Sequence, residues 1–216
     1  MKRLIEDMIS EGFLKTPKII DAFRFIDRAD FVPEELKFEA YVNAPLPIGF
    51  GQTISQPSTV AFMFELLDPK PGDNILDIGA GSGWQTALLA FIVSHDNKGE
   101  ELPPEKKGKI ISIELIPELE VMARKNISKY NFIKKGVVDI HCLNATKGFP
   151  SEAPYQKIIS AASADEIPKD WQNQLSSGGS IVAPIGLSLW QYNKKMDDTF
   201  LRKEFPGFAF VPFVKE

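Results

Sequence analysis

Residues 76–86 read LDIGAGSGWQT, with glycine at 79, 81 and 83 just behind the acid Asp77. Without a Cβ, Gly79, Gly81 and Gly83 let a backbone turn come close to a ligand. The apolar run NILDIG precedes them and the apolar run WQTALLAFIV follows. That context puts the glycines at a strand-to-helix turn, where an open parallel sheet takes ligands beyond its strand ends. The next apolar run, KIISIEL, delivers Glu114 to a neighbouring strand tip, where a carboxylate can accept from both hydroxyls of a ribose. Asp77 either orders the loop or reaches a bound amino group. Asn144, in HCLNATKG, is placed to offer its carbonyl to a purine amine.

The dinucleotide fingerprint asks for a third glycine where this chain has Trp84, and an indole there would crowd helix against strand. The lysine of a triphosphate-binding loop is also missing. Gly-x-Gly-x-Gly after Leu-Asp suits S-adenosyl-L-methionine, which has no pyrophosphate and leaves as S-adenosyl-L-homocysteine. The acceptor is narrowed by SAASADEIP after the fourth strand: Ala161 and Ala162 offer nothing to orient the amine of a base. Residues 45–57, PLPIGFGQTISQP, do offer two hydroxyls, Thr53 and Ser55. Neutral donors suit a carboxylate acceptor, because a cation in contact would blunt its nucleophilicity. A main-chain-type carboxyl has a pKa of about 3.3–3.7, so it is ionised at neutral pH without a general base.

Several elements must position these groups. RLIEDMISEGF spaces Leu4, Ile5, Met8 and Ile9 for one helix face. A second helix starts with Thr16 as N-cap and Pro17 at its first position, and carries Ile19, Ile20, Phe23 and Ile26. A third runs from Pro57 through Leu67. Five apolar strands follow, NILDIG, KIISIEL, VVDIHCL, QKIISAA and SIVAPI, with helices opening at Pro117 and within DEIPKDWQNQL. GFAFVPFVKE is expected to add a last strand, and the polar stretch 94–109 an irregular, disordered surface loop. Alternating strands and helices predict an α/β fold with a parallel sheet covered on both faces. We expect one domain over 1–216, with a helical cap and substrate-loop segment (1–68) and a cofactor-binding core (69–216).

Composition narrows the classes further. Of the 216 residues, 44% are hydrophobic and 25% charged, an ordinary balance for a soluble domain. The net charge of −4 and the scattered Lys and Arg argue against a nucleic-acid partner. No run is long and apolar enough to span a membrane. His95 and His141 have no cluster at metal-ligand spacing, so no metal is expected. The lone Cys142 precludes an internal disulfide and fits a reducing, cytoplasmic setting.

The segments AYVNAPLPIGFGQTISQP, LDIGAGSGWQTALLA, APYQKIISAAS, IPKDWQNQLSSGG, VAPIG and FVPF resemble, in order and spacing, the protein-L-isoaspartate O-methyltransferase family. The resemblance runs from about Phe31 onward. It implies a Rossmann-like, seven-stranded methyltransferase sheet with an N-terminal helical cap. It also implies methyl transfer to the free α-carboxylate of isoaspartyl residues in damaged proteins or peptides; separately, a monomer is expected. The ester then collapses to a succinimide that can reopen to aspartate. By the same resemblance Ser55 is the hydroxyl beside the reacting carboxylate, with Thr53 and Ile54 shaping the pocket. Gly79, Gly81 and Gly83 flank the methionine moiety, Glu114 takes the ribose, and Val211 and Pro212 line the peptide channel. Asn43, Ser58, Asn144 and Gln156 depart from the family pattern. These departures leave open a relative methylating another carboxylate, or a non-catalytic homologue.

Overall fold

A computed structural model describes residues 1–213. Helices α1 (Lys2–Ser10) and α2 (Pro17–Phe25) bury Leu4, Ile5 and Met8 and then Ile19, Ala22 and Phe23. Ile9, expected on the same face, is instead partly exposed. Thr16 precedes Pro17 without capping the helix through its side chain. Its hydroxyl donates to Glu65 Oε2 at 2.7 Å, while Glu65 Oε1 accepts from the backbone N–H of Lys15 and of Thr16, both at 2.8 Å. The hydroxyl is thus drawn to a carboxylate from another helix and away from the N–H groups that a cap would serve.

Residues 45–57, read as a loop, form a hairpin of β1 (Leu46–Gly49) and β2 (Gln52–Ile54) leading into α3 (Pro57–Leu67). Its turn puts both Phe50 (φ 53°) and Gly51 (φ 70°) in the left-handed region, the turn whose twist matches two antiparallel strands. Leu46, Ile48 and Ile54 point inward. That explains the apolar residues set among the breakers.

Then come β3 (Ile75–Ile78), α4 (Trp84–Ser94), β4 (Ile110–Glu114), α5 (Pro117–Ser128), β5 (Val138–Cys142), β6 (Tyr155–Ser160) and α6 (Lys169–Gln174). Three longer strands close the sheet, β7 (Leu175–Ile185), β8 (Ser188–Lys194) and β9 (Phe200–Pro206). The seven strands lie in the order β5-β4-β3-β6-β7-β8-β9, parallel through β7 and antiparallel thereafter. Ile75, Ile110, Ile159 and Val182 turn to the face covered by the cap, α3, α4 and α5. Leu76, Ile111, Ile158 and Ile181 turn to the other face, against Tyr155 and Trp171 of α6.

Two expectations are corrected. The terminal strand is β9, and GFAFVPFVKE does not supply it: Gly207 turns the chain at φ 96°. The tail runs beside Ser163 instead, where Ser163 N donates to Val211 O and Phe213 N to Ser163 O, both at 2.8 Å. Residues 214–216 of that stretch lie outside the described residues. The polar stretch 94–109 is ordered. His95 pairs with Glu101 in an antiparallel bridge, and Glu101 accepts from Lys107 at 2.5 Å and Lys135 at 2.7 Å. Those two ammonium groups hold the Glu101 carboxyl down at about 2.

Candidate active site

The strand order reverses between β3 and β6, so the turns after these two strands diverge and leave a crevice. Gly79 leaves β3 there with φ 84°, and a Cβ on it would stand 3.7 Å from the Ala161 methyl. The cavity at this point is lined by Gly79 and Gly81, Glu114, Asn144, Thr53 and Val211, with apolar walls that include Ile78, Ile113 and Leu143. Pro212 lines it as well. Glu114 is buried at the tip of β4. Its Oε1 accepts from the backbone N–H of Leu115 (2.8 Å) and Ile116 (3.0 Å), and its Oε2 from Gly81 N at 2.8 Å. About three of the roughly four acceptor directions of the carboxylate are therefore in use. A bound diol finds one direction ready, and a second only by displacing a backbone donor.

Asp77 faces away from this cavity. Fully buried, it accepts from Gln85 Nε2 (2.8 Å), Thr86 Oγ1 (2.5 Å) and Ser112 Oγ (3.2 Å). Burial pushes its carboxyl up, and the three donors pull it back. These bonds tie the start of α4 to the strands beneath it. Gly83 is likewise turned from the cavity. At φ 90° it starts α4, and a Cβ there would lie 3.0 Å from Ile127 Cγ1 and Cδ1 and 3.1 Å from Ala123 Cα of α5. Its missing side chain admits the close approach of α5. Asn144 lines the cavity, but its Oδ1 accepts from Thr146 N (2.8 Å) and Thr146 Oγ1 (2.6 Å). That oxygen, the expected acceptor for a purine amine, thus also caps the turn at 145–147.

Two further spaces share wall residues with this cavity. One, about 30 Å³, lies between Ser55, Ile54, Gly81 and the indole of Trp84. That is room enough for a water molecule. The indole N–H of Trp84 is buried with no partner among the described residues. The other is a groove walled by Ser55, Gln56 and Thr59 on one side and Ala209, Phe210 and Val211 on the other. No charged side chain lines it. Thr53 and Ala161 line all three spaces. The hydroxyl corner of the hairpin and the glycine turn are therefore brought to one junction.

Some supports were not legible in the sequence. Asn126 of α5 donates to Ser82 O at 3.0 Å and holds the glycine turn from below. Asn43 Oδ1 accepts from Ser58 N at 3.0 Å, so a neutral amide serves the first turn of α3. Gln156 Oε1 accepts from Asn74 N at 2.8 Å, ahead of β3 and remote from the crevice. These departures thus have structural uses.

The family model described as Protein-L-isoaspartate(D-aspartate) O-methyltransferase matches residues 1–216. The chain belongs to that family. This methyltransferase is 40% identical to the protein-L-isoaspartate O-methyltransferase of Methanopyrus kandleri over 219 residues, covering 100% of this chain and 91% of the relative. Against the Pyrococcus horikoshii enzyme of the same name it is 41% identical over 222 residues, covering 100% and 93%. Among solved structures, the fold matches a Plasmodium falciparum protein described as a protein-L-isoaspartate O-methyltransferase in complex with S-adenosyl-L-homocysteine. That match has a TM-score of 0.85 at 23% identity and covers 100% of this chain and 98% of the other. The likeness establishes the methyltransferase fold, including the seven-stranded, mostly parallel sheet.

Proposed function

We propose that this chain transfers the methyl group of S-adenosyl-L-methionine to the free α-carboxylate of an isoaspartyl residue in an altered protein or peptide. One observation carries the reading: the cavity that holds Glu114 shares the walls formed by Thr53, Ala161 and Val211 with an uncharged groove that presents Ser55. An electrophile on one side and a carboxylate on the other meet at that junction.

The chain's residues divide the work. Glu114, fixed by three backbone N–H groups, accepts from the ribose. Gly79 and Gly81 give the methionine portion backbone surface without side chains. Trp84, with its unpartnered N–H, donates to a polar end of the ligand or to one water. The cofactor supplies a methyl group on a sulfonium, which is electrophilic without further activation. Ser55 and Thr53 donate to the acceptor carboxylate and orient one oxygen toward that carbon. An O–CH3 bond forms as the S–CH3 bond breaks with its electron pair left on sulfur, and no proton moves. Holding the two reactants in line supplies about 7–11 kcal/mol of the barrier. Val211 borders the groove where the acceptor's backbone runs, Pro212 lines the adjoining cavity, and Ile54 walls the small space beside Ser55.

No helix among the described residues is long and apolar enough to cross a membrane. With Cys142 free and exposed, we place the enzyme in the cytoplasm, working as a monomer on protein substrates and not on nucleic acid.

The test uses purified protein, radiolabelled S-adenosyl-L-methionine and matched peptides containing isoaspartate or aspartate. Label on the isoaspartyl peptide alone is the expected result. Label on the aspartyl peptide would move the activity to another carboxylate. Cofactor binding without any label would make the chain a non-catalytic homologue.

A further inference from the structure

We infer that Arg28 is a positioning residue for the acceptor: a buried guanidinium that staples both ends of the β1–β2 hairpin and stands one peptide behind the groove. The inference deepens the proposed reaction and rests on it. Arg28 is fully buried. Its Nη1 donates to Ala40 O (2.9 Å) and Val42 O (3.1 Å), and its Nη2 to Ala44 O (2.9 Å) and Ser55 O (3.1 Å). Ala44 and Ser55 are the residues on either side of the hairpin segment 45–54, so a single nitrogen closes that loop at its base. The guanidinium carbon lies 5.3 Å from the centroid of the Trp84 ring, which gives the charge an aromatic face. No carboxylate among the described residues pairs with it.

An unpaired buried cation is costly to keep, and burial alone pushes this guanidinium down to about 10. Apolar packing could close a hairpin at less cost. The guanidinium adds two things that apolar packing cannot. Its planar fork fixes four carbonyls relative to one another, so the Ser55 backbone has one position with respect to the cap. It also sets a positive charge next to a groove that has no charged lining. An incoming carboxylate is drawn to that charge yet touches only neutral donors, and its oxygen stays nucleophilic.

The test compares wild type with Arg28→Lys, which keeps the charge and loses the fork, and Arg28→Met, which loses both. Three quantities are read: cofactor affinity by calorimetry, kcat and KM for an isoaspartyl peptide, and hydrogen exchange over residues 45–56. Expected for Arg28→Lys are unchanged cofactor affinity, a kcat lower by about tenfold to a hundredfold, and faster exchange in the hairpin than in β3 and β4. Arg28→Met is expected to raise KM for the peptide as well. Wild-type kcat and hairpin exchange in Arg28→Lys would overturn the inference, as would parallel losses of cofactor affinity and kcat. If Arg28→Met does not fold, Arg28→Lys decides alone. The exchange measurement needs no substrate, so it stands even if the wild-type protein methylates some other acceptor.

Discussion

Glu114 is the residue on which the cofactor half of the site turns, because its carboxylate organises the site before any ligand arrives. Hydrogen bonds from Gly81, Leu115 and Ile116 fix it, and each is charge-assisted. In Glu114→Gln the amide oxygen cannot serve all three donors, and its NH2 group faces backbone N–H. With about 1.5–3 kcal/mol for a hydrogen bond to a charged group, cofactor affinity should fall about tenfold to a hundredfold, read by calorimetry. Ser55 works on the other side of the junction. Removing its hydroxyl in Ser55→Ala takes away one donor to the acceptor carboxylate, also worth about 1.5–3 kcal/mol. We expect single-turnover methyl transfer to slow by about tenfold to a hundredfold while cofactor affinity holds. Equal losses in both would assign Ser55 to the cofactor or to the fold.

The elements meet at points that tolerate little. The α4–α5 contact depends on Gly83, which combines a left-handed φ of 90° with no room for a methyl group against Ile127 and Ala123. Gly83→Ala should destabilise the protein by about 1–3 kcal/mol, from backbone strain and overpacking together. The denaturant midpoint measures this, and a change below about 0.5 kcal/mol, the range typical of surface substitutions, would mean that α5 simply moves aside. The glycine turn and the hairpin also rest on partners far away in the chain. Ser82 is held by Asn126 and Ser55 by Arg28. Spacing along the sequence does not record such partners, since a buried donor is chosen by the carbonyl it meets in space.

Across the whole molecule, one buried phenol and one half-buried phenol weigh most on the alkaline limit. Burial pushes both the Tyr130 and the Tyr155 hydroxyls well above the ordinary phenol value of 10.0. Tyr130 also donates to Asp30 Oδ2 at 2.7 Å, and Tyr155 to Phe149 O at 2.7 Å. Both groups keep their protons longer when folded than when unfolded. Their contribution to stability is therefore complete below pH 10 and is lost as pH rises beyond it. Arg28 acts with the opposite sign, because its folded value is depressed to about 10. Lys18 and Lys157, lowered by burial, act with Arg28, and Tyr41 and Lys37, raised, act with the phenols. The two large upward shifts outweigh the one large downward shift, so stability should decline above pH 10. Followed by phenolate absorbance, Tyr130 and Tyr155 of the four tyrosines should ionise only together with unfolding. Smooth ionisation of both in the folded protein would refute this.

Sequence by itself determined the layout. Five strand cores, the glycine turn, Glu114 at a strand tip and the Thr53–Ser55 corner are all legible in local patterns, because apolar periodicity and glycine punctuation act over a few residues. Only the tertiary structure decided how those groups are used. Asp77, Gly83 and Asn144 look alike in one dimension, whereas in three Asp77 accepts from α4, Gly83 packs against α5, and Asn144 caps a turn while lining the cavity. The edge strand β9 is masked by its charges, Arg202, Lys203 and Glu204. The junction of the cofactor cavity with the acceptor groove needs residues as distant as Thr53, Ala161 and Val211. Hydrogen-bond partners and cavities depend on three-dimensional distance, which a linear pattern does not contain.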